Sequence, residues 1–296
     1  MLAPSGFEWH RIVFNKRVTG YANLVMKRAR SYRRDYLLAV LSAAARSADQ
    51  LVVTGDITNL SLESEYEEAI RLLKDAARGA EVTVVPGNHD IYLPSIRRQR
   101  RFPHHFGELT RSDLPALALD LPAGRFPCVK LRGPAAIVGL TSAVPRPPFV
   151  SAGIVGRVQL GALQQVLRHP EVLRRTPVLL VHHCPFDSRL RIEQLRSGLV
   201  DARALRATLQ PLARGLVLYG HLHVRRRARL TTAAGYLDVV CATAAALDHP
   251  DDDIRAGFNL YELADDGRIA SIGARVLGPS GSDFRSASLP VTTEPA

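Results

Sequence analysis

The stretch Val82–Asp90, VTVVPGNHD, places a polar cluster directly after an apolar run. Residues 82–85 are β-branched, as in buried strands, and a Pro-Gly pair ends the run. The side chains of Asn88, His89 and Asp90 follow at the strand tip. Because open α/β sheets bind ligands beyond the carboxyl ends of their strands, this stretch predicts a strand that delivers functional groups to one edge of a sheet.

The same arrangement occurs at three further apolar runs, which end in Asp56, in His182-His183, and in Gly220-His221-Leu222-His223. Apolar residues at helical spacing separate these runs, over residues 35–46, 62–73, 157–167 and 201–209. Strands alternating with helices predict an α/β sheet. The short apolar runs of the last third, between residues 228 and 276, predict a second sheet stacked on the first.

The four strand ends share carboxylate, amide and imidazole donors, which suit divalent cations such as Mn, Fe, Zn or Mg. A single Gly-Asp or a pair of histidines is a weak pattern. Four such ends, in order and with strand–helix spacing between them, indicate a metal site. His221 and His223 lie two residues apart, so in an extended backbone each can reach one of two adjacent ions.

Four segments carry a resemblance to a known family: TGD (54–56), VPGNHD (85–90), VHHCP (181–185) and YGHLH (219–223). They resemble the motifs of the calcineurin-like metallophosphoesterase superfamily, in the family's order and in its bacterial phosphodiesterase-like branch. The resemblance implies an α/β four-layer sandwich of two mixed β-sheets flanked by helices. It also implies two divalent metal ions, and hydrolysis of a phosphodiester or phosphomonoester by in-line attack of a metal-bound water on phosphorus.

The resemblance further implies a set of metal ligands. Asp56 matches the carboxylate that bridges both ions. Asn88, His182 and His221 match the remaining protein ligands of the second ion, and His223 matches a ligand of the first. The choice between His182 and its neighbour His183 stays open, with His183 favoured as an outer neighbour of the site.

Two catalytic roles also follow from the resemblance. His89 matches the histidine that protonates the leaving oxygen or stabilises charge on the phosphoryl group. Asp90 is expected to orient His89. The three arginines that follow the last motif, residues 225–227, could add charge near the phosphate, but a solvated basic strand is the favoured interpretation.

One element of the family pattern is lacking before Asp56. Related sequences begin with an interior strand that ends in Asp-x-His and supplies two ligands of the first ion, and no such segment occurs here. We therefore expect the first strand to be missing, the first metal site to be incomplete and the natural start to lie upstream. The alternative, if Met1 is the true start, is a metal-impaired pseudoenzyme or binding module.

Composition is that of a globular protein: 296 residues, 46% hydrophobic and 23% charged. No apolar stretch approaches the roughly 18–20 residues of a membrane span. Three widely spaced cysteines argue against a disulfide framework. We expect a cytoplasmic protein with one domain over residues 1–277, which includes a basic segment over residues 1–34, and a disordered tail over residues 278–296.

The net charge of +11 arises almost entirely from arginine and favours anionic partners. A small phosphoester, with a cyclic nucleotide first, is the expected substrate because the chain is compact. A diphosphate lipid is second, because residues 11–34 mix basic and apolar side chains and could lie on an anionic membrane at the inner face. Nucleic acid is not expected, since no aromatic series accompanies the arginines.

Overall fold

The computed structural model describes residues 31–76, 79–186 and 190–292. Most of the basic segment, and with it most of the predicted membrane-facing element, lies outside these residues. The helices of the described part are α1 (Arg34–Ser47), α2 (Glu63–Ala76), α3 (Pro94–Arg98), α4 (Arg101–Phe106), α5 (Arg157–Leu167), α6 (Pro170–Leu173), α7 (Arg191–Ser197) and α8 (Ala202–Leu209).

The strands in order are β1 (Gln50–Val53), β2 (Glu81–Val84), β3 (Leu119–Leu121), β4 (Gly124–Phe126), β5 (Cys128–Arg132), β6 (Ala135–Gly139), β7 (Thr176–Leu180), β8 (Leu216–Tyr219), β9 (Arg226–Thr231), β10 (Tyr236–Cys241), β11 (Gly257–Leu263), β12 (Ile269–Leu277), β13 (Phe284–Ser288) and β14 (Val291–Thr292). The helix predicted over residues 157–167 is α5, with the same bounds, and the strand predicted over residues 82–85 is β2, which begins and ends one residue earlier.

Seven strands form the main sheet, in the order β14-β9-β10-β8-β7-β6-β5. Its centre, β6-β7-β8-β10, is parallel. Strand β5 runs antiparallel to β6, and β9 runs antiparallel to β10 and parallel to β14. Every residue of β7 and β8 is buried, which is why these strands appear in the sequence as continuous apolar runs.

Successive residues of the central strands face two different cores. Leu179 and Val217 pack with α5 and α8 on one side. Leu180 and Leu218 pack on the other side, against α1, α2 and the second sheet layer. This alternation follows from the two-residue period of a strand. It produces the predicted four layers: helices, main sheet, second sheet layer and helices.

The second sheet layer is divided into two pieces, the parallel pair β1-β2 and the antiparallel β11-β12-β13. Within the described residues, β1 and β11 each pair on one side, no strand lies between them, and both line a cavity of about 1070 Å³.

The tail is more ordered than the sequence suggests. Residues 284–288, within the tail predicted as disordered, form β13 and pair antiparallel with β12 from Gly273 to Leu277. Phe284 packs beside Phe258 with ring centroids 5.6 Å apart. The prediction of disorder was therefore wrong for this part, because pairing with a preceding strand outweighs its Ser-rich composition.

None of the helices in the described ranges has both the length and the apolar character needed to cross a bilayer.

Candidate metal centre

Two glycines bring the loops after β1 and β2 into contact. A Cβ atom on Gly87 would lie 2.2 Å from Oδ1 of Asp56, and one on Gly55 would lie 2.6 Å from the Gly87 nitrogen. Neither distance is possible for a real side chain, so both positions require glycine. The backbone of Gly55 is also in the left-handed region, at φ 97°. The turn therefore places Asp56 directly against the Asn88 loop.

Four predicted ligand atoms converge at these strand ends. Nε2 of His182 lies 3.1 Å from Oδ1 of Asn88, 3.2 Å from Nδ1 of His221 and 3.4 Å from Oδ2 of Asp56. Ligand atoms that share one ion, with bonds of about 2.0–2.2 Å, lie about 2.8–3.6 Å apart at octahedral or tetrahedral angles. The three distances fall in this range, so the donor set fits a divalent cation.

The outer hydrogen bond of His182 fixes its tautomer. Nδ1 lies 2.7 Å from the carbonyl oxygen of Thr54, and because a carbonyl only accepts, Nδ1 carries the proton. In the neutral ring, Nε2 then presents a lone pair toward the oxygens of Asn88 and Asp56. Lone pairs that face one another at this range are satisfied by a proton on Nε2 or by a metal cation between them. Histidine ligands of metals commonly donate their other N–H to a carbonyl in this way.

Burial and charge set the protonation of the cluster. Burial opposes ionisation of Asp56, but the positive charges of His182 and His89 and the hydrogen bond from His182 together outweigh it, and the pKa of Asp56 lies well below its usual range. Burial also opposes the charge on His182, yet the Asp56 carboxylate raises its pKa. Burial, followed by the charge of His182, lowers the pKa of His221 to about 3. Asp56 and His221 are therefore in their metal-binding forms, an ionised carboxylate and a neutral imidazole, whereas His182 would release a proton when a metal binds.

His183 lies in the same cluster, with a ring nitrogen within 4.8 Å of those of His182 and His221. Both of its nitrogens are nevertheless engaged elsewhere. Nδ1 lies 2.7 Å from Oγ of Ser142, and Nε2 lies 2.8 Å from the carbonyl oxygen of Ser151. The geometry therefore favours His182 over His183 as the ligand. The fully buried His183 instead packs behind the ligands and is held by Ser142 and Ser151.

His223 lines the same cavity as Asp56 and His221. Its Nδ1 lies 3.1 Å from the hydroxyl oxygen of Tyr32. The backbone at His221 and His223 is left-handed, with φ of 63° and 53°, which is uncommon for residues other than glycine and occurs often at functional sites. The backbone is therefore not extended at His221 and His223, so the condition under which each would reach one of two adjacent ions is not met.

His89 is fixed next to Asp56 by contacts of its backbone and its ring. Its backbone N–H donates to Oδ1 of Asp56 at 2.9 Å, and its ring stacks on Tyr92 with centroids 5.5 Å apart. Nδ1 lies 2.6 Å from the carbonyl oxygen of Asn59, so this nitrogen carries the proton. Nε2 is then the ring atom that can take up or release a proton.

Asp90 does not orient His89, and that prediction was wrong. The buried carboxylate accepts from the backbone nitrogens of Gly87 at 2.9 Å and Ile57 at 3.2 Å, and from both the nitrogen and the hydroxyl of Thr58. It therefore joins the loops after β1 and β2. Burial, followed by the charge of Asp56, raises the pKa of Asp90 to about 6.

Several neighbours of the site were not predicted. Thr54 and Asn59 act through their carbonyl groups, which any residue would supply, so the sequence gives no sign of them. Tyr32 lies in a basic segment without a motif, and Ser142 follows β6 in an unpatterned loop. Their roles depend on contacts between distant parts of the chain.

The three arginines after the last motif do not form a solvated strand as predicted. Arg225 is 4% exposed, and its guanidinium donates to the carbonyl oxygens of Asp252 and Arg255. Nε of Arg226 donates to the Tyr219 hydroxyl at 2.8 Å. Arg227 forms an ion pair with Asp238 at 2.9 Å. Each has a protein partner, because β9 packs against β10 and the loop before β11.

Comparisons with solved structures show a shared fold. A dimetal phosphatase from Danio rerio has a TM-score of 0.52 and 14% identity, over 86% of this chain and 89% of that one. The purple acid phosphatase PPD1 from yellow lupin (Lupinus luteus) seeds has a TM-score of 0.56 and 13% identity, over 89% of this chain and 50% of that one. No curated protein gives a significant match.

The sequence itself matches a family model. The model of the calcineurin-like phosphoesterases covers residues 10–225, a range that contains all four strand ends of the site. The chain therefore belongs to the calcineurin-like phosphoesterase family, metal-dependent hydrolases that act on phosphoester bonds.

Proposed function

We propose that this protein hydrolyses a small phosphodiester, with a cyclic nucleotide as the first candidate, at a centre of two divalent metal ions. The observation that supports this most directly is the convergence of Asn88, His221 and Asp56 on Nε2 of His182, at 3.1–3.4 Å. These side chains come from four strand ends in two sheets and are separated by up to 165 positions, from Asp56 to His221. Local sequence effects alone do not explain such an arrangement.

In this proposal Asp56, Asn88, His182 and His221 hold one ion. Asp56 and His223 contribute to the other, and the Asp-x-His ligands of that site do not occur before Asp56 in this chain. When bound, the ions supply Lewis acidity toward a water molecule and the phosphoryl oxygens. Reloading the protein with each metal separately would identify which of Mn, Fe, Zn and Mg it uses.

The protein's own groups position and protonate the substrate. Nδ1–H of His89 is held by the Asn59 carbonyl, so Nε2 is the atom that donates a proton to the leaving oxygen as the P–O bond breaks. Asp56 holds the backbone of His89 through its Oδ1, which fixes the imidazole relative to the metal ligands. The ion site and the proton donor therefore share one carboxylate.

A small substrate fits the architecture of the described chain. The four layers form one sandwich, and within the described residues the site is built from its strand ends, without a separate module that would hold a polymer. A cytoplasmic location suits a soluble phosphodiester. The diphosphate-lipid alternative depends mainly on residues 11–30, which the structure does not describe.

The test begins with metal-depleted protein reloaded separately with Mn²⁺, Fe²⁺, Zn²⁺ and Mg²⁺. Hydrolysis of bis(p-nitrophenyl) phosphate, p-nitrophenyl phosphate, cyclic nucleotides and a diphosphate lipid in vesicles would then be compared. Metal content by inductively coupled plasma mass spectrometry would be measured for the wild type, Asn88→Ala and His221→Ala. We expect both variants to lose metal and to lose activity at least 100-fold. A 100-fold loss corresponds to about 2.7 kcal/mol in the activation free energy.

His104→Ala is the matched control, because this histidine is exposed on α4. It is expected to keep wild-type metal content and activity. Unchanged metal content in Asn88→Ala would show that the ion is bound elsewhere. A reloaded wild type that hydrolyses none of the phosphoesters would contradict the proposed activity and favour a binding role.

A further inference from the structure

A second charged cavity lies away from the metal centre. It has a volume of about 400 Å³ and is lined by four arginines, Arg214, Arg227, Arg229 and Arg268, with Tyr236 and Asp238. Arg214 precedes β8 and Tyr236 begins the parallel strand β10. His221 follows the carboxyl end of β8, so this arginine cavity lies at the opposite end of that strand from the site described above.

Strand β9 presents two of these arginines on one face. Ala228 and Leu230 are buried in the core beside α5 and α8. Arg227 and Arg229 alternate with them and therefore face the other side of the sheet, toward the start of β12. Arg229 lies opposite Asp238 in the β9–β10 register. At this end of the sheet, guanidinium groups line the cavity together with the apolar side chains of Ile269 and Ile272.

The arginines outnumber the acids that line the cavity. Asp238 is 3% exposed and is the carboxylate of the lining. It lies 2.9 Å from Nε of Arg227 and 3.7 Å from Nε of Arg229. One carboxylate thus orients two guanidinium groups. Four positive charges against one negative charge leave an excess of three within the lining, and such crowding favours a bound anion.

Three further contacts preorganise the cavity. The guanidinium of Arg229 lies over the Tyr236 ring, 4.2 Å from its centroid, which fixes the plane of the group. Nη2 of Arg214 donates to the carbonyl oxygen of Asp266 at 3.1 Å. The carboxylate of that residue accepts from the backbone N–H of Arg268. Arg214 and Arg268 are exposed and flank the opening.

We propose that the arginine cavity is an anion site for an oligophosphate, either inorganic or carried by a nucleotide. Planar guanidinium groups bind phosphate oxygens in pairs. The three excess charges match the charge of a diphosphate or triphosphate group. The volume lies within the range of small-molecule sites. This site is independent of phosphoester hydrolysis and does not require the metal centre.

The experiment is calorimetric titration of the full chain in metal-free buffer with methylenediphosphonate, which cannot be hydrolysed, and with pyrophosphate. We expect binding that weakens steeply with added salt. Arg214→Gln/Arg268→Gln is expected to weaken it about tenfold or more. Both residues are exposed, so folding should be preserved, and thermal melting checks this. The single variant Arg268→Gln gives a smaller loss in the same direction.

Arg191→Gln/Arg203→Gln removes the same charge from exposed positions elsewhere and should bind as the wild type does. Asn88→Ala should also retain binding, because it alters only the metal centre. Any of three results would overturn the proposal: the wild type does not bind the phosphates, both double variants lose the same affinity, or Asn88→Ala loses affinity. Titration with ADP distinguishes the two sources of phosphate. If ADP binds more tightly than pyrophosphate and Tyr236→Ala removes this difference, the ligand is a nucleotide. If ADP and pyrophosphate bind equally, the site recognises the phosphates alone.

Discussion

Asp90 accepts two hydrogen bonds from one residue, the backbone N–H of Thr58 at 2.7 Å and its hydroxyl at 3.0 Å. With the bonds from Gly87 and Ile57, both carboxylate oxygens are used. An amide at this position offers one acceptor, and its NH₂ group would face backbone donors. Asp90→Asn is therefore expected to lower the free energy of unfolding by about 2–4 kcal/mol.

Chemical denaturation of Asp90→Asn and the wild type would measure this loss. Asp265→Asn, at an exposed turn, serves as the control and should stay within about 0.5 kcal/mol of the wild type. Equal stability of Asp90→Asn and the wild type would contradict the role of Asp90 in joining the loops.

His89→Gln should slow catalysis without releasing metal. The imidazole is not among the donor atoms around Nε2 of His182, and its proposed role is proton donation to the leaving oxygen. We expect kcat to fall about 10²–10⁴-fold. The loss should be smaller for p-nitrophenolate, which leaves without a proton, than for an alkoxide. Equal losses for both leaving groups, or lost metal, would assign His89 a different role.

The stability of the protein should depend on pH through Glu65. This buried side chain accepts from the backbone nitrogens of Leu60 and Leu62, both at 2.9 Å, at the start of α2. Burial raises its pKa to about 7 from an ordinary value of 4.5. The folded state therefore holds the proton more tightly than the unfolded state, and stability falls as pH rises from about 4.5 to 7.

The difference between the folded and the ordinary pKa of Glu65 corresponds to about 3 kcal/mol in the free energy of unfolding. Glu65→Gln keeps an acceptor for the two nitrogens and cannot ionise. Denaturation at pH 5 and pH 8 should show a larger loss of stability in the wild type than in the variant. A parallel loss in both proteins would rule out Glu65 as its source.

Gly87→Ala should disrupt the metal centre, because its new Cβ would lie 2.2 Å from Oδ1 of Asp56. We expect metal content and activity to fall together. Gly161 in α5 is the matched position, since a Cβ there meets no atom within 4 Å. Gly161→Ala should leave the metal in place and stabilise the helix by about 0.5–1 kcal/mol. Full metal content in Gly87→Ala would contradict the close approach of the two loops.

The sequence predicted most of the strands that carry the site, because each is a fully or mostly apolar run with a polar group at its tip. The bounds of α5 matched because its apolar residues recur at helical spacing. The hydrogen-bond partners of the side chains were harder to predict from the sequence. Asp90 bonds to Thr58 across 32 positions, and the local pattern GNHD suggests a nearer partner in His89. Strand β13 was missed because its pairing with β12, not its composition, orders it.

The four candidate ligands that meet at Nε2 of His182 are divided equally between two sheets. Asp56 and Asn88 follow β1 and β2, and His182 and His221 follow β7 and β8 of the main sheet. A metal held by all four would therefore be a crosslink between the two layers. It would lie beside β1, which among the described strands is hydrogen-bonded to β2 alone. Its binding energy would add directly to the cohesion of the sandwich. In this protein the catalytic ion and the structural tie would be the same atom.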